Sequence, residues 1–170
     1  MSELHEAACI GDAEKVQTLI KNGADINGAY VMGHRPLHYA AMNGHNKVVK
    51  LLIDNEADVD ARNIIGVTPL HDATCSNHNE TIKLLINNGA DVNSRNIRGE
   101  TPLHYAAIDG TKETVKLLIK NGANFCAKDT ADKTPWIMAI NEDRTEIANL
   151  LRAAPLLKAA MKEQQENKDE

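Results

Sequence analysis

Thr101-Pro102-Leu103-His104 is the stretch on which the fold turns, because it recurs. Thr68-Pro69-Leu70-His71 lies 33 residues earlier, and Arg35-Pro36-Leu37-His38 another 33 before that. One more step back falls on Ser2-Glu3-Leu4-His5, and one step forward on Thr134-Pro135-Trp136-Ile137. A second marker keeps the same interval: Asn22-Gly23-Ala24-Asp25, Asn55-Glu56-Ala57-Asp58, Asn88-Gly89-Ala90-Asp91 and Asn121-Gly122-Ala123-Asn124. Two motifs locked to one period describe a row of five stacked units, starting near residues 2, 35, 68, 101 and 134.

The unit at 68–100 shows how each is built. Thr68 is placed to cap a helix, its hydroxyl accepting from a free N–H of the first turn. Pro69 sits at the first helical position, where its missing N–H costs nothing. Leu70, Ala73 and Thr74 fall on one face of a short helix. Asn77 then takes the site held by Gly11, Gly44, Gly110 and Asp143 in the other units. These residue types tolerate left-handed backbone, so the spacing predicts a tight turn there in every unit. A second helix is predicted over 79–87, with Ile82, Leu85 and Ile86 inward and a Glu80–Lys83 pair outward, repeated as Glu113 and Lys116. Gly89 ends it in left-handed geometry, and residues 91–99 form an extended connection.

The unit length and the Thr-Pro-Leu-His-x-Ala signature resemble the ankyrin repeat, from Ser2 to about Ala154. The resemblance implies an all-α solenoid of five helix-turn-helix units. It implies β-hairpin finger loops at about a right angle to the helices, and protein recognition on a concave face of finger tips and first helices. The repeat histidine is expected to bond within its own turn and to the neighbouring loop. Asn27 and Asn93 resemble finger asparagines that asparaginyl hydroxylases modify in this family. The expected division is a repeat domain over 1–155, then a short capping helix and frayed tail over 156–170. Leu156, Leu157, Ala160 and Met161 supply that helix with a narrow apolar stripe.

End units expose one flank and must turn polar there. Lys15 stands where Val48 and Ile147 stand, Thr18 replaces Leu51, Leu84 and Leu117, and Arg152 replaces Ile53, Ile86 and Ile119. Two departures lie in or beside unit two. Glu56 occupies a left-handed glycine site, and Arg35 replaces the capping threonine, each at about 1 kcal/mol. Residues 35–60 are therefore expected to open before 79–119.

Composition narrows the function. With 19 basic and 24 acidic residues the net charge is −5, so no nucleic-acid partner is expected. Aromatics are only 3%, so the core must be aliphatic. Cys9, Cys75 and Cys126 are too few and odd in number for a disulfide framework. No apolar run nears the ~20 residues of a membrane span, and the acidic N-terminus lacks a signal-peptide core. The reading is a cytoplasmic, or nuclear, monomer with no membrane partner and no cofactor. His71, Cys75 and His78 hint at a metal site, but His71 repeats as His38 and His104 without a matching cysteine. His5-Glu6-Ala7-Ala8-Cys9 lacks the second histidine of a zinc-protease motif. No phosphate loop or nucleophile elbow appears, so no catalytic, cofactor or metal residue is assigned and no enzyme is expected. A metal-dependent hydrolase is the remote alternative.

What varies between units points to binding. On the outer face of the first helices stand Tyr39, Met42 and Asn43, then Asp72, Cys75 and Ser76, then Tyr105, Ile108 and Asp109, then Met138, Asn141 and Glu142. The finger tips carry Val31, Met32 and His34, then Ile64, Ile65 and Val67, then Ile97, Arg98 and Glu100, then Thr130, Ala131 and Lys133. Apolar tips rimmed by polar residues read as a groove for another protein or peptide segment, centred on units two to four. The alternative function is an inhibitor, or a bacterial or host-directed effector, using the same groove. Arg62, Arg95 and Lys128 share a register at the finger base and are expected either to meet an acidic partner or to pair with Asp60 or Asp129.

Overall fold

The structure, a computed structural model, describes residues 2–156. Each unit supplies two short helices. They are α1 (Glu3–Ile10) and α2 (Ala13–Lys21), α3 (Pro36–Met42) and α4 (Asn46–Asp54), α5 (Pro69–Cys75) and α6 (Asn79–Asn87), α7 (Pro102–Asp109) and α8 (Lys112–Lys120), α9 (Pro135–Asn141) and α10 (Thr145–Arg152). The first helices pack on one another in sequence, α1 to α3 to α5 to α7 to α9, and the second helices form a parallel row behind them. Helices this short are marginal alone. They hold because each buries a leucine or valine between neighbours: Leu4, Leu37, Leu70 and Leu103 in the first row, Leu52, Leu85 and Leu118 in the second, all 2% exposed or less. Each such burial is worth about 2 kcal/mol. Alanines at 40, 41, 73, 106 and 107, also fully buried, let the first-row helices approach closely.

Left-handed turns stand at Gly11, Gly44, Asn77 and Asp143, with φ of 82°, 70°, 59° and 55°. Gly110 departs from the expectation, with φ −72° and ψ 158°. Helix α7 runs one residue longer than α5, and a Cβ at Gly110 would come within 2.4 Å of the Ala106 carbonyl oxygen. The glycine is needed there for close approach rather than for the sign of φ. The Thr111 N–H turns to Asn77 Oδ1 (2.7 Å), and its hydroxyl caps α8 by accepting from the Thr114 N–H.

The ends are polar as expected. Lys15 lies 3.7 Å from Glu3, Thr18 and Arg152 are exposed, and α10 stops before Pro155. Residues 154–156 are helical; the rest of the expected capping helix and tail lies outside the described residues. Glu80 and Lys83 pair at 2.7 Å, whereas Lys112 reaches across to Glu146 at 2.9 Å.

Glu56 has φ 69°, beside 81°, 93° and 90° at Gly23, Gly89 and Gly122. A Cβ at those three glycines meets nothing within 4 Å. The strain at Glu56 is therefore in its backbone alone. Relief of about 1–2 kcal/mol outweighs the added freedom of glycine in the unfolded chain, about 0.4–1 kcal/mol. Glu56→Gly should raise stability by roughly 0.5–1 kcal/mol in urea titration. In the parent chain, hydrogen exchange should release amides of 35–60 before those of 79–119; the reverse order would refute the weak point at unit two.

Candidate functional site: the face of finger tips and first helices

The repeat histidines fix the fingers to the helices. Nδ1 of His38, His71 and His104 accepts from the backbone N–H of Arg35, Thr68 and Thr101, at 3.1–3.2 Å. A backbone N–H can only donate, so Nδ1 is bare and Nε2 carries the proton. Nε2 then donates to the carbonyl of Val67, Glu100 and Lys133, each 29 residues on, at 3.1–3.2 Å. His5 does the same to Gly28 at 2.9 Å. The Thr68 and Thr101 hydroxyls contact the imidazole Nδ1 at 2.9 Å, so these caps work through the histidine side chain. Thr134, whose unit has no such histidine, accepts from the Ile137 N–H. Arg35 has no acceptor to offer and pairs with Asp58 at 3.2 Å. Burial pushes His38 and His71 down to about 4, and His5 and His104 below the ordinary range.

The fingers are tight turns, and the expected β-hairpins are not seen as strands among the described residues. Two backbone bonds close each turn: the N–H groups of Tyr30, Asn63, Asn96 and Asp129 donate to the carbonyls of His34, Val67, Glu100 and Lys133, and their own carbonyls accept from the N–H groups of Gly33, Gly66, Gly99 and Asp132. One more joins each tip to the next, from Ile64 to Met32, Ile97 to Ile65 and Thr130 to Arg98. One bond between neighbouring tips makes no ladder. The turns are held by Oδ1 of Asn63, Asn96 and Asp129, each accepting two backbone N–H groups at 2.8–3.0 Å. The recurrence of Asn63, Asn96 and Asp129 at 33-residue intervals is the sequence signal for this turn. The first finger has Tyr30 at this position and forms a 3-10 turn instead, Val31–Gly33, with Met32 at φ 59°.

The basic residues at the finger base do not make the expected ion pairs with Asp60 or Asp129. Arg62 donates to the carbonyl of Arg95 (2.7 Å), Arg95 to that of Lys128, and Lys128 pairs with Asp132 (3.2 Å). A guanidinium spans the gap between fingers and finds a carbonyl there, whereas the Asp60 carboxylate is already engaged by the Asp91 N–H. Asn27 and Asn93 bridge units through both ends of their amides. Asn27 donates to the Glu56 carbonyl and accepts from the Asp58 N–H; Asn93 donates to the Gly122 carbonyl and accepts from the Asn124 N–H. Asp60 holds the same register but has only the accepting half, and burial raises its carboxyl above the usual range. Asp60→Asn should add the missing bond to the Gly89 carbonyl and stabilise the protein by about 1 kcal/mol; an unchanged urea midpoint at pH 7 would refute this.

The structure sorts the predicted groove residues. Val31, Met32, Ile64 and Ile97 are 49–67% exposed. Arg98 and Cys75 are also exposed, and His34, Tyr39, Met42, Ile65, Tyr105 and Ile108 are half-buried. Val67 is not a groove residue: it is 4% exposed, and its carbonyl is the acceptor for His38. Standing directly before Thr68, it belongs to the turn's foot. Glu100, at the equivalent place, is also buried, held by Asn96 and paired with Arg98. Tyr39 lies edge-on to His5 and against His34, and Tyr105 edge-on to His71 with its hydroxyl accepting from Asn96. The tyrosines are thus fixed in place by their own neighbours. Asp72 shares their register but is 9% exposed, and Oδ2 has no hydrogen-bond partner. Burial alone raises its carboxyl to about 8.

A family model described as ankyrin repeats (3 copies) matches residues 4–96 and again 88–165. The chain belongs to the ankyrin-repeat family. No individual curated protein matches it significantly. Ankyrin repeats are in general protein–protein interaction modules. In this ankyrin array His71 is spent on Thr68 and Glu100, and His45 on the Cys9 carbonyl. Among the described residues no cluster of three His, Cys, Asp or Glu side chains is arranged to hold a metal ion, and no helix is long and apolar enough to cross a membrane. A shallow hollow of about 580 Å³ lies at the starts of α8 and α10, beside Lys112, Arg144 and Glu146. It shares no residue with the ankyrin face and is bridged by the Lys112–Glu146 pair.

Proposed function

We propose that the protein is a non-enzymatic, monomeric adaptor that binds a segment of another protein across units two to four. The observation that carries this reading is the tip row: Val31, Met32, Ile64 and Ile97 stand roughly half to two-thirds exposed, on fingers joined tip to tip by backbone bonds. Side chains with no burial to gain in the free protein gain it on binding, at about 25 cal/mol per Å². Tyr39, Tyr105 and Met42 form the floor, and Arg98 and Asp72 set the partner's orientation. Three free cysteines suit a reducing compartment, cytoplasm or nucleus.

The test uses tips whose loss leaves the scaffold alone. Ile64→Asp with Ile97→Asp should leave the urea midpoint within about 0.5 kcal/mol of the parent. Capture of a partner recovered by affinity purification should fall at least about tenfold, the effect of burying two charges at an apolar contact. Undiminished capture would move the binding site elsewhere.

A further inference from the structure

Asp72 is at odds with its surroundings. Its register is held by Tyr39 in the preceding unit and Tyr105 in the following one, both half-buried anchors of the face. At Asp72 itself the chain places a carboxyl that is 9% exposed, with Oδ2 fully covered and unpartnered. None of the ion pairs among the described residues includes it, although Arg35, Lys83 and Arg98 all find acids. A neutral residue would serve packing better, because an unpaired buried acid destabilises the free fold. Such a violation, at a position flanked in register by Tyr39 and Tyr105, marks a functional group waiting for its counterpart. The counterpart of a carboxylate between two tyrosine rings is a cation, which gains both the charge and the ring faces.

Resting on the proposed adaptor reading, we infer that the bound segment places one lysine or arginine side chain on Asp72, between Tyr39 and Tyr105, and that this contact selects the partner. Asp72 is ionised in the complex and protonated in the free protein near neutrality, so docking expels a proton. Affinity then rises with pH by nearly tenfold per unit and levels off above about 8. The groups facing it stay neutral in this range: burial raises the hydroxyls of Tyr39 on α3 and Tyr105 on α7 and the thiol of Cys75 on α5. Asp109 on α7 is engaged with the Cys75 thiol at 3.9 Å. No charged group of α3, α6 or α7 contributes to the Asp72 shift.

The experiment selects a displayed library of random twelve-residue peptides on the full chain and follows the best binder as a synthetic peptide. The expected result is one basic residue at a fixed place in all selected peptides. Replacing that residue by norleucine, or Asp72 by Asn, should each weaken binding by about 30-fold, with little further loss when both are changed. The Asp72→Asn protein should also lose the pH dependence between 6.5 and 7.5. Peptides that lose binding to Ile64→Asp but share no basic residue, and bind Asp72→Asn unchanged, would overturn this inference and leave the groove reading standing. Peptides indifferent to Ile64→Asp, or no binders at all, would overturn both.

Discussion

In the Asp72→Asn protein, folding stability should fall by about 5 kcal/mol as pH drops from 6.5 to 4. The cause is the pair His38 and His71. In the folded chain each Nδ1 is an acceptor facing a backbone N–H, and each Nε2–H donates to a buried carbonyl. A second proton has nowhere to go except against another N–H. Both groups are held down to about 4, whereas the unfolded imidazole takes its proton near 6.5. A lowered folded value means the stabilisation is complete above 6.5 and is lost as pH falls toward 4. His5 and His104 shift the same way and add to the loss. The total is a large share of the roughly 5–15 kcal/mol that holds a domain together. Urea titrations across this range measure it, and proton NMR gives an independent check. Folded His38 and His71 ring signals that titrate near 6.5 would refute the account.

The second large effect is Asp72→Asn itself. At pH 7 to 8 it should stabilise the protein by up to about 4 kcal/mol, and by almost nothing below pH 4. Here the sign is opposite. The folded carboxyl is raised to about 8, so the protein keeps this proton when the unfolded chain has lost it. Stability is present below the ordinary carboxylate range and is lost as pH rises toward 8. In the parent protein the two effects work against each other. On the acid side the loss from two histidines is offset by roughly half; on the alkaline side Asp72 acts alone. The parent should thus be most stable near pH 6.5, and the variant should show a plateau above it. Parent and variant curves that run parallel from pH 4 to 8 would refute a buried, protonated Asp72.

The period of 33 residues carried the helices, the aliphatic core and most of the turns, because those depend on what repeats. The second helix of the third unit lies at Asn79–Asn87, where Ile82, Leu85 and Ile86 put it. Positions whose meaning depends on a neighbour were harder to read. Gly110 lines up with left-handed glycines, but the adjacent residue is Thr111 rather than His45 or His78, and the turn takes another path. Val67 reads as a tip residue by hydropathy, yet the next residue is the helix cap, which draws it under. Arg62 and Arg95 suggest ion pairs on paper; the distance between fingers gives them carbonyls instead. The burial of Asp72 could not be seen from register alone, since Tyr39 and Tyr105 in the same register are only half-buried. The positions that do not repeat marked the exposed tips Val31, Met32, Ile64 and Ile97 more clearly than the half-buried residues beside them.

The bonds of the repeat histidines His5, His38, His71 and His104 all point one way along the chain. Each of these imidazoles donates to the loop that leads into the following unit, whereas His45, in the turn between helices, reaches back to the Cys9 carbonyl. The array therefore has a grain. A chain growing from its N-terminus cannot seat His38 until residue 67 has been made, nor His71 until residue 100. Each stage of synthesis ends with one buried donor still open, and the next stage closes it. Removing units from the C-terminal side reopens that fully buried donor, whereas removing the first unit frees the half-buried His45 ring and the exposed Asp58 N–H, which water can reach. Shortened versions cut from opposite ends should thus differ in soundness even when they keep the same number of units.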